Sequence, residues 1–131
     1  MNALSVYQPW AWAFLHGKDV ENRTWRPLYR GTFYIHAARQ RSAEHYAQVA
    51  VWIRRQTGLL VPAADEVPYG GIVAVADLVD VVTTSASPWF IGPFGWIVRN
   101  VRAVPLRPCR GRPRWFQVPA RLAVVEMEGD E

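Results

Sequence analysis

The sequence predicts an α+β domain, with one curved mixed sheet and a long helix covering it. Three observations carry that expectation. Ile72 to Thr83 is almost entirely β-branched or small, the composition of a strand buried on both faces. Thr32 to Ala37 and Trp96 to Val104 alternate as further strands do. Ser42 to Gln56 places Tyr46, Val49, Ala50 and Ile53 at helical spacing, with Ser42 suited to cap the start and Gly58 to end it.

Taken in order, Leu4 to Val6 is a short first strand. Pro9 suits the first turn of a helix, Trp10, Ala13 and Phe14 follow at helical spacing, and Gly17 falls in a capping position. That helix is too short to stand alone, so the body of the domain must hold its aromatics. Lys18 to Arg23 is a loop or an emerging strand. If extended, Glu21 and Arg23 share a face and can pair, while Lys18 needs a turn to join them. Trp25 to Tyr29 forms a loop. In the strand after Gly31, Phe33, Ile35 and Ala37 share one face and Tyr34 and His36 the other, which makes His36 a hydrogen-bonded structural histidine or a residue turned toward a cleft.

In the long helix Arg54 and Arg55 suit the negative end of the dipole. Leu59 to Pro68 connects it to Gly70-Gly71 and the β-branched run. Strict alternation there puts Asp77 with Val73, Val75, Val79 and Val81, and Asp80 with Ile72, Ala74, Ala76 and Leu78. A carboxylate on an apolar face needs a partner or a bulge: an ion pair with an arginine, a strand end meeting water at Asp80, or, for Asp77, a shared cleft with Lys18. Thr83 to Pro88 is a polar loop and Gly92 to Gly95 a turn. Pro105 to Pro113, with Arg107, Arg110, Arg112 and the nearby Arg114, is a cationic surface loop able to touch phosphate. Arg121 to Met127 is a closing strand, and the acidic residues 126–131 form a frayed tail.

No repeat or linker divides the 131 residues, so one domain is expected, large enough for a core without disulfides. A single Cys109 cannot pair within the chain, and a reduced, cytoplasmic setting follows. No apolar run reaches membrane-spanning length, and the start lacks a signal-like leader. Net charge is +4, but the last six residues hold four acids; without them fifteen bases face seven acids, or +8. A basic body with seven tryptophans points to RNA or nucleotides, with stacking on bases. Three separated histidines and one cysteine show no metal-site spacing, and neither a phosphate-cradling glycine loop nor a nucleophile elbow is present, so no metal or cofactor is expected.

The chain's one lysine, Lys18, stands against fourteen arginines. An ammonium is compact and, once buried, can lose its proton, which a guanidinium does not. With Glu21 and Arg23 it makes a constellation able to grip phosphate, accept from a base amino group or move a proton.

Lys18-x-x-Glu21-x-Arg23, preceded by Ser5 to Ala11 and followed by Arg30-Gly31, Ile35-His36-Ala37, Gly70 to Val73 and Gly92 to Trp96, resembles the ASCH domain family of the PUA-like superfamily. That family's signature is written G-x-K-x-x-E-x-R; here the glycine adjoins the lysine as Gly17 and His16 takes its place. The resemblance implies a PUA-like mixed β-barrel with flanking helices and a cleft holding the motif. It implies RNA binding, ribonuclease action, or amidohydrolase action on N4-acetylated cytidine nucleosides. A Lys and a Thr are catalytic in that last group, and Glu21 stands at the Thr position.

Three functions are therefore expected as alternatives: an RNA- or nucleotide-binding domain, a hydrolase, or a non-catalytic interaction module in which the motif is an ion-pair knot. Lys18, Glu21 and Asp77 are the catalytic candidates, and Gln8, Trp10, Arg23, Trp25, His36 and Trp96 the ligand contacts. Lys18 is expected to tolerate Lys18→Arg and Lys18→Ala in folding but not in function.

Overall fold

The computed structural model describes residues 1–122. The strands are β1 (Asn2–Val6), β2 (Val20–Arg23), β3 (Gly31–Ala37), β4 (Gly71–Val82), β5 (Phe94–Pro108) and β6 (Trp115–Gln117); the helices are α1 (Trp10–Phe14) and α2 (Ala43–Thr57). They build one curled, half-barrel sheet in the order β2-β5-β4-β3-β1-β6. Among the described residues only the β1–β3 pairing is parallel, so the sheet is mixed, as the sequence predicts.

The period-2 pattern of β3 sorts its side chains between two cores. Phe33, Ile35 and Ala37 join Leu4, Leu78, Trp96 and Val98 on one face, and Tyr34 joins Ala3, Ile72, Val75 and Phe116 on the other. In β4 the alternation is interrupted. Three register shifts against β5, at Ile72/Ala74, Val75/Asp77 and Leu78/Asp80, re-aim the side chains, so that Val73 and Val81 lie in the same core as Ala74, Ala76 and Leu78. Asp80 is at the exposed end, where its carboxylate accepts from the Val81 N–H at 2.8 Å.

The long helix is capped as expected. Ser42 Oγ accepts from the His45 N–H, and Gly58 closes the helix in the left-handed region at φ 79°. Its buried residues are Tyr46, Val49 and Ile53. Val49 and Ile53 pack on Ala13, Val20 and Trp89, so α2 covers the β2 end of the sheet by way of α1 rather than lying across the middle. The five-residue α1 is pinned by Gln8, whose Oε1 accepts from the Trp12 N–H at 2.8 Å while its Nε2 donates to the Pro68 carbonyl at 3.0 Å.

Two boundaries differ from expectation. Residues 105–108 belong to β5, because β4 pairs again with Arg107 and Pro108 beyond the register shift at Ile72/Ala74; the cationic loop begins at Cys109. Arg121 and Leu122 lie in a 3-10 turn (Ala120–Leu122), and the rest of the expected closing strand and the acidic tail lie outside the described residues. The strand beside β1 is instead β6. Among the described residues no helix is long and apolar enough to cross a membrane.

Candidate functional site

The turn at Gly17 (φ 105°) brings Lys18 back beneath α1. Its Nζ donates to the Val20 carbonyl at 2.7 Å and to Glu21 Oε1 at 2.6 Å, and it lies 4.1 Å from the Phe14 ring centroid. The other carboxylate oxygen, Oε2, accepts from Arg23 Nε at 2.8 Å. Lys18 is 2 % exposed and Glu21 7 %. Burial pulls the Lys18 ammonium below its ordinary pKa, against the opposing pull of Glu21. Burial alone would raise the Glu21 carboxyl, but Lys18 and Arg23 outweigh it and hold the group below the usual carboxylate range. An ionised carboxylate clamped between two cations is a weak base, and the ammonium is spent on internal acceptors. The motif is a closed knot whose outward product is a positioned Arg23, which also donates through a terminal nitrogen to the Ser5 carbonyl at 3.1 Å.

Arg23 opens onto a cleft of about 900 Å³. Residues from β1, β3 and the loop after β5 line it: Ser5, Tyr7, His36, Arg39, Cys109, Arg110, Gly111, Arg112 and Arg114 among them. The lining holds five arginines and no carboxylate. Among the described residues only Arg23 of the five has a carboxylate partner; Arg114 lies 4.2 Å over the Trp25 ring. Among the described residues, four guanidinium groups without a carboxylate partner around one concavity set a positive potential there.

Within the cleft Ser5 and His36 are register partners across the parallel β1–β3 pair. Ser5 Oγ lies 2.9 Å from His36 Nδ1, and His36 Nε2 lies 2.8 Å from the Cys109 carbonyl oxygen. Burial lowers the pKa of the imidazole, more than its bond to Cys109 raises it. The loop descends onto this pair at Gly111, where a Cβ would fall 2.7 Å from His36 Cε1 and 2.8 Å from Ser5 Oγ. Only glycine permits that approach.

The structure thus brings Arg23 and His36 together in the cleft and places the other candidates elsewhere. Lys18 and Glu21 lie behind it. Asp77 is not with them: bonded to Thr32 Oγ1 at 2.9 Å and Asn100 Nδ2 at 3.2 Å, it faces away from the core that holds Trp96. Gln8 is 2 % exposed and fully used in pinning α1. Trp96 is completely buried and cannot stack on a base; its ring packs against Trp25 at 4.8 Å and Trp115 at 5.4 Å. Trp10 packs on Trp52 and over Lys18. Trp25 reaches the site only through Arg114. Sequence reasoning missed Ser5, Tyr7 and Arg39; Arg110, Arg112 and Arg114 were legible as a cationic loop, without its destination. Among the described residues no group of His, Cys, Asp and Glu could hold a metal ion.

The fold and the cleft define a small α+β half-barrel domain with an arginine-lined concavity beside a buried Lys–Glu–Arg knot. A scan against protein-family models matches none, and a search of curated proteins finds no match.

Proposed function

We propose that the domain binds phosphate groups of RNA or a nucleotide in this cleft, and that it is a PUA-like, ASCH-type module. The observation that carries the reading is the convergence of Arg23, Arg39, Arg110, Arg112 and Arg114 on a concavity lined by no acid. A guanidinium offers paired N–H donors matched to phosphate oxygens, and such pairs are the strong, oriented ones. The cleft lies within the usual size range of ligand sites. The curled mixed sheet and the motif spacing support the family reading. In it the Lys18–Glu21 pair is scaffold: it holds Arg23 at the cleft wall and leaves binding, rather than proton transfer, as the motif's task.

Fluorescence anisotropy of a labelled single-stranded RNA tests this. Affinity should fall as salt rises, with a log–log slope of about 0.7 per phosphate contact. The double reversal Arg110→Glu with Arg112→Glu should weaken binding and flatten that slope. Unchanged affinity in the double variant would remove the cleft from the interaction.

A further inference from the structure

The Ser5–His36–Cys109 chain has more order than a structural histidine requires. A carbonyl oxygen only accepts, so His36 Nε2, 2.8 Å from Cys109 O, carries a proton. With the ring kept neutral by burial, Nδ1 holds the lone pair, and the Ser5 hydroxyl at 2.9 Å donates to it. That is the arrangement of an activated nucleophile: a hydroxyl bonded to a base, the base oriented by a third group. Both side chains line the cleft, and Ser5 is only partly buried. Arg23 is bonded to the main chain of Ser5 itself.

We propose that Ser5 and His36 are a nucleophile–base pair acting on an activated acyl group whose leaving portion carries phosphate, an acyl phosphate being the simplest case. Ser5 Oγ forms a bond to the acyl carbon as its proton passes to His36 Nδ1, and the carbonyl oxygen takes up the negative charge, with Arg23 the cation on that side. The bond from acyl carbon to the bridging oxygen breaks, and phosphate leaves with the proton returned by His36. Water then attacks the acyl-serine and gives a proton to His36, the bond from acyl carbon to Ser5 Oγ breaks to release the carboxylic acid, and His36 returns that proton to Ser5 Oγ. The choice of a phosphate-bearing substrate rests on the phosphate reading of the cleft; the nucleophile–base pair does not.

The test uses the whole protein and separates the two. A neutral alkyl fluorophosphonate should leave one adduct, mapped by mass spectrometry to Ser5, with none in Ser5→Ala. His36→Gln should slow labelling at least about 100-fold, the scale of lost base catalysis. Ser5→Ala, checked for an unchanged thermal midpoint, should abolish acetyl phosphate hydrolysis above the solution rate. In wild type that rate should rise with pH along a single titration whose midpoint lies below the ordinary histidine value. No adduct on Ser5, or wild-type turnover by Ser5→Ala, overturns the nucleophile. Equal kcat/KM for acetyl phosphate and the neutral p-nitrophenyl acetate overturns the phosphate-bearing substrate while leaving the pair standing. RNA binding without an adduct overturns the pair while leaving the cleft reading intact.

Discussion

Replacing Glu21 by Gln keeps its size and removes its charge. In the folded protein that leaves the Lys18 ammonium in a site 2 % exposed, with the Val20 carbonyl, a neutral amide and the Phe14 ring for company. Removing one member of a buried ion pair costs about 3–5 kcal/mol, because the remaining charge stays desolvated and uncompensated. For a domain of this size that is a fall in Tm of roughly 10–25 °C. Lys18→Met should cost less, about 1–3 kcal/mol, since Glu21 keeps its 2.8 Å bond to Arg23 and Met fills the space beneath Phe14. The sign with pH is fixed by Glu21. Its folded pKa lies below the unfolded one, so its stabilisation is fully present above the unfolded value of about 4.3 and is lost as pH falls through the folded value. Chemical denaturation at neutral pH and in increasing acid measures both effects: the gap between wild type and Glu21→Gln should close in acid. Equal losses for the two variants, or losses within about 0.5 kcal/mol as at a surface site, would refute the buried-knot account. With Lys18 buried, its variants are predicted to lose stability, where the sequence led to the expectation that they fold normally. Lys18→Met, once folded, should bind RNA nearly as well as wild type.

Two further outcomes follow from the contacts. Gly111→Ala should lift the loop off Ser5 and His36, cost about 1–3 kcal/mol by overpacking, and make the His36 ring titrate closer to its ordinary value in an NMR pH series. Asp77→Asn should leave RNA affinity unchanged in the anisotropy assay and cost no more than about 1 kcal/mol, since among the described residues Asp77 serves only Thr32 and Asn100.

Much of the architecture was legible because it rests on local chemistry. The β-branched run of β4, the alternation in β3 and the Ser42 and Gly58 caps of α2 each express a backbone preference that neighbours reinforce. The bulges of β4 were not legible, for they arise from pairing with β5. The pairing of Glu21 with Arg23 followed from strand periodicity, and Lys18 did reach Glu21 through a turn. The lone lysine marked a residue that the fold buries in an ion pair. A compact ammonium fits between two oxygen acceptors and an aromatic face, where a planar guanidinium would not. The tryptophans invited a stacking role, yet Trp96, Trp25 and Trp115 pack chiefly on one another. The cleft was hidden because its parts meet only through the sheet: no spacing rule links Ser5, His36 and Arg110.

His36 and Cys109, which hold the cleft's inner hydrogen bond, are 73 positions apart, and β1 is flanked by β3 on one side and β6 on the other. During translation, then, the first strand leaves the ribosome long before the loop that must cover it. At about 5–20 residues per second, the interval between them is several seconds. Throughout it β1 has no β6 neighbour, and Ser5 and His36 have neither the Cys109 carbonyl nor the arginine loop over them. The Lys18 knot waits in the same way, since among the described residues β2 has its sheet neighbour only in β5, so the knot and the cleft are both completed by residues made long after the ones they enclose.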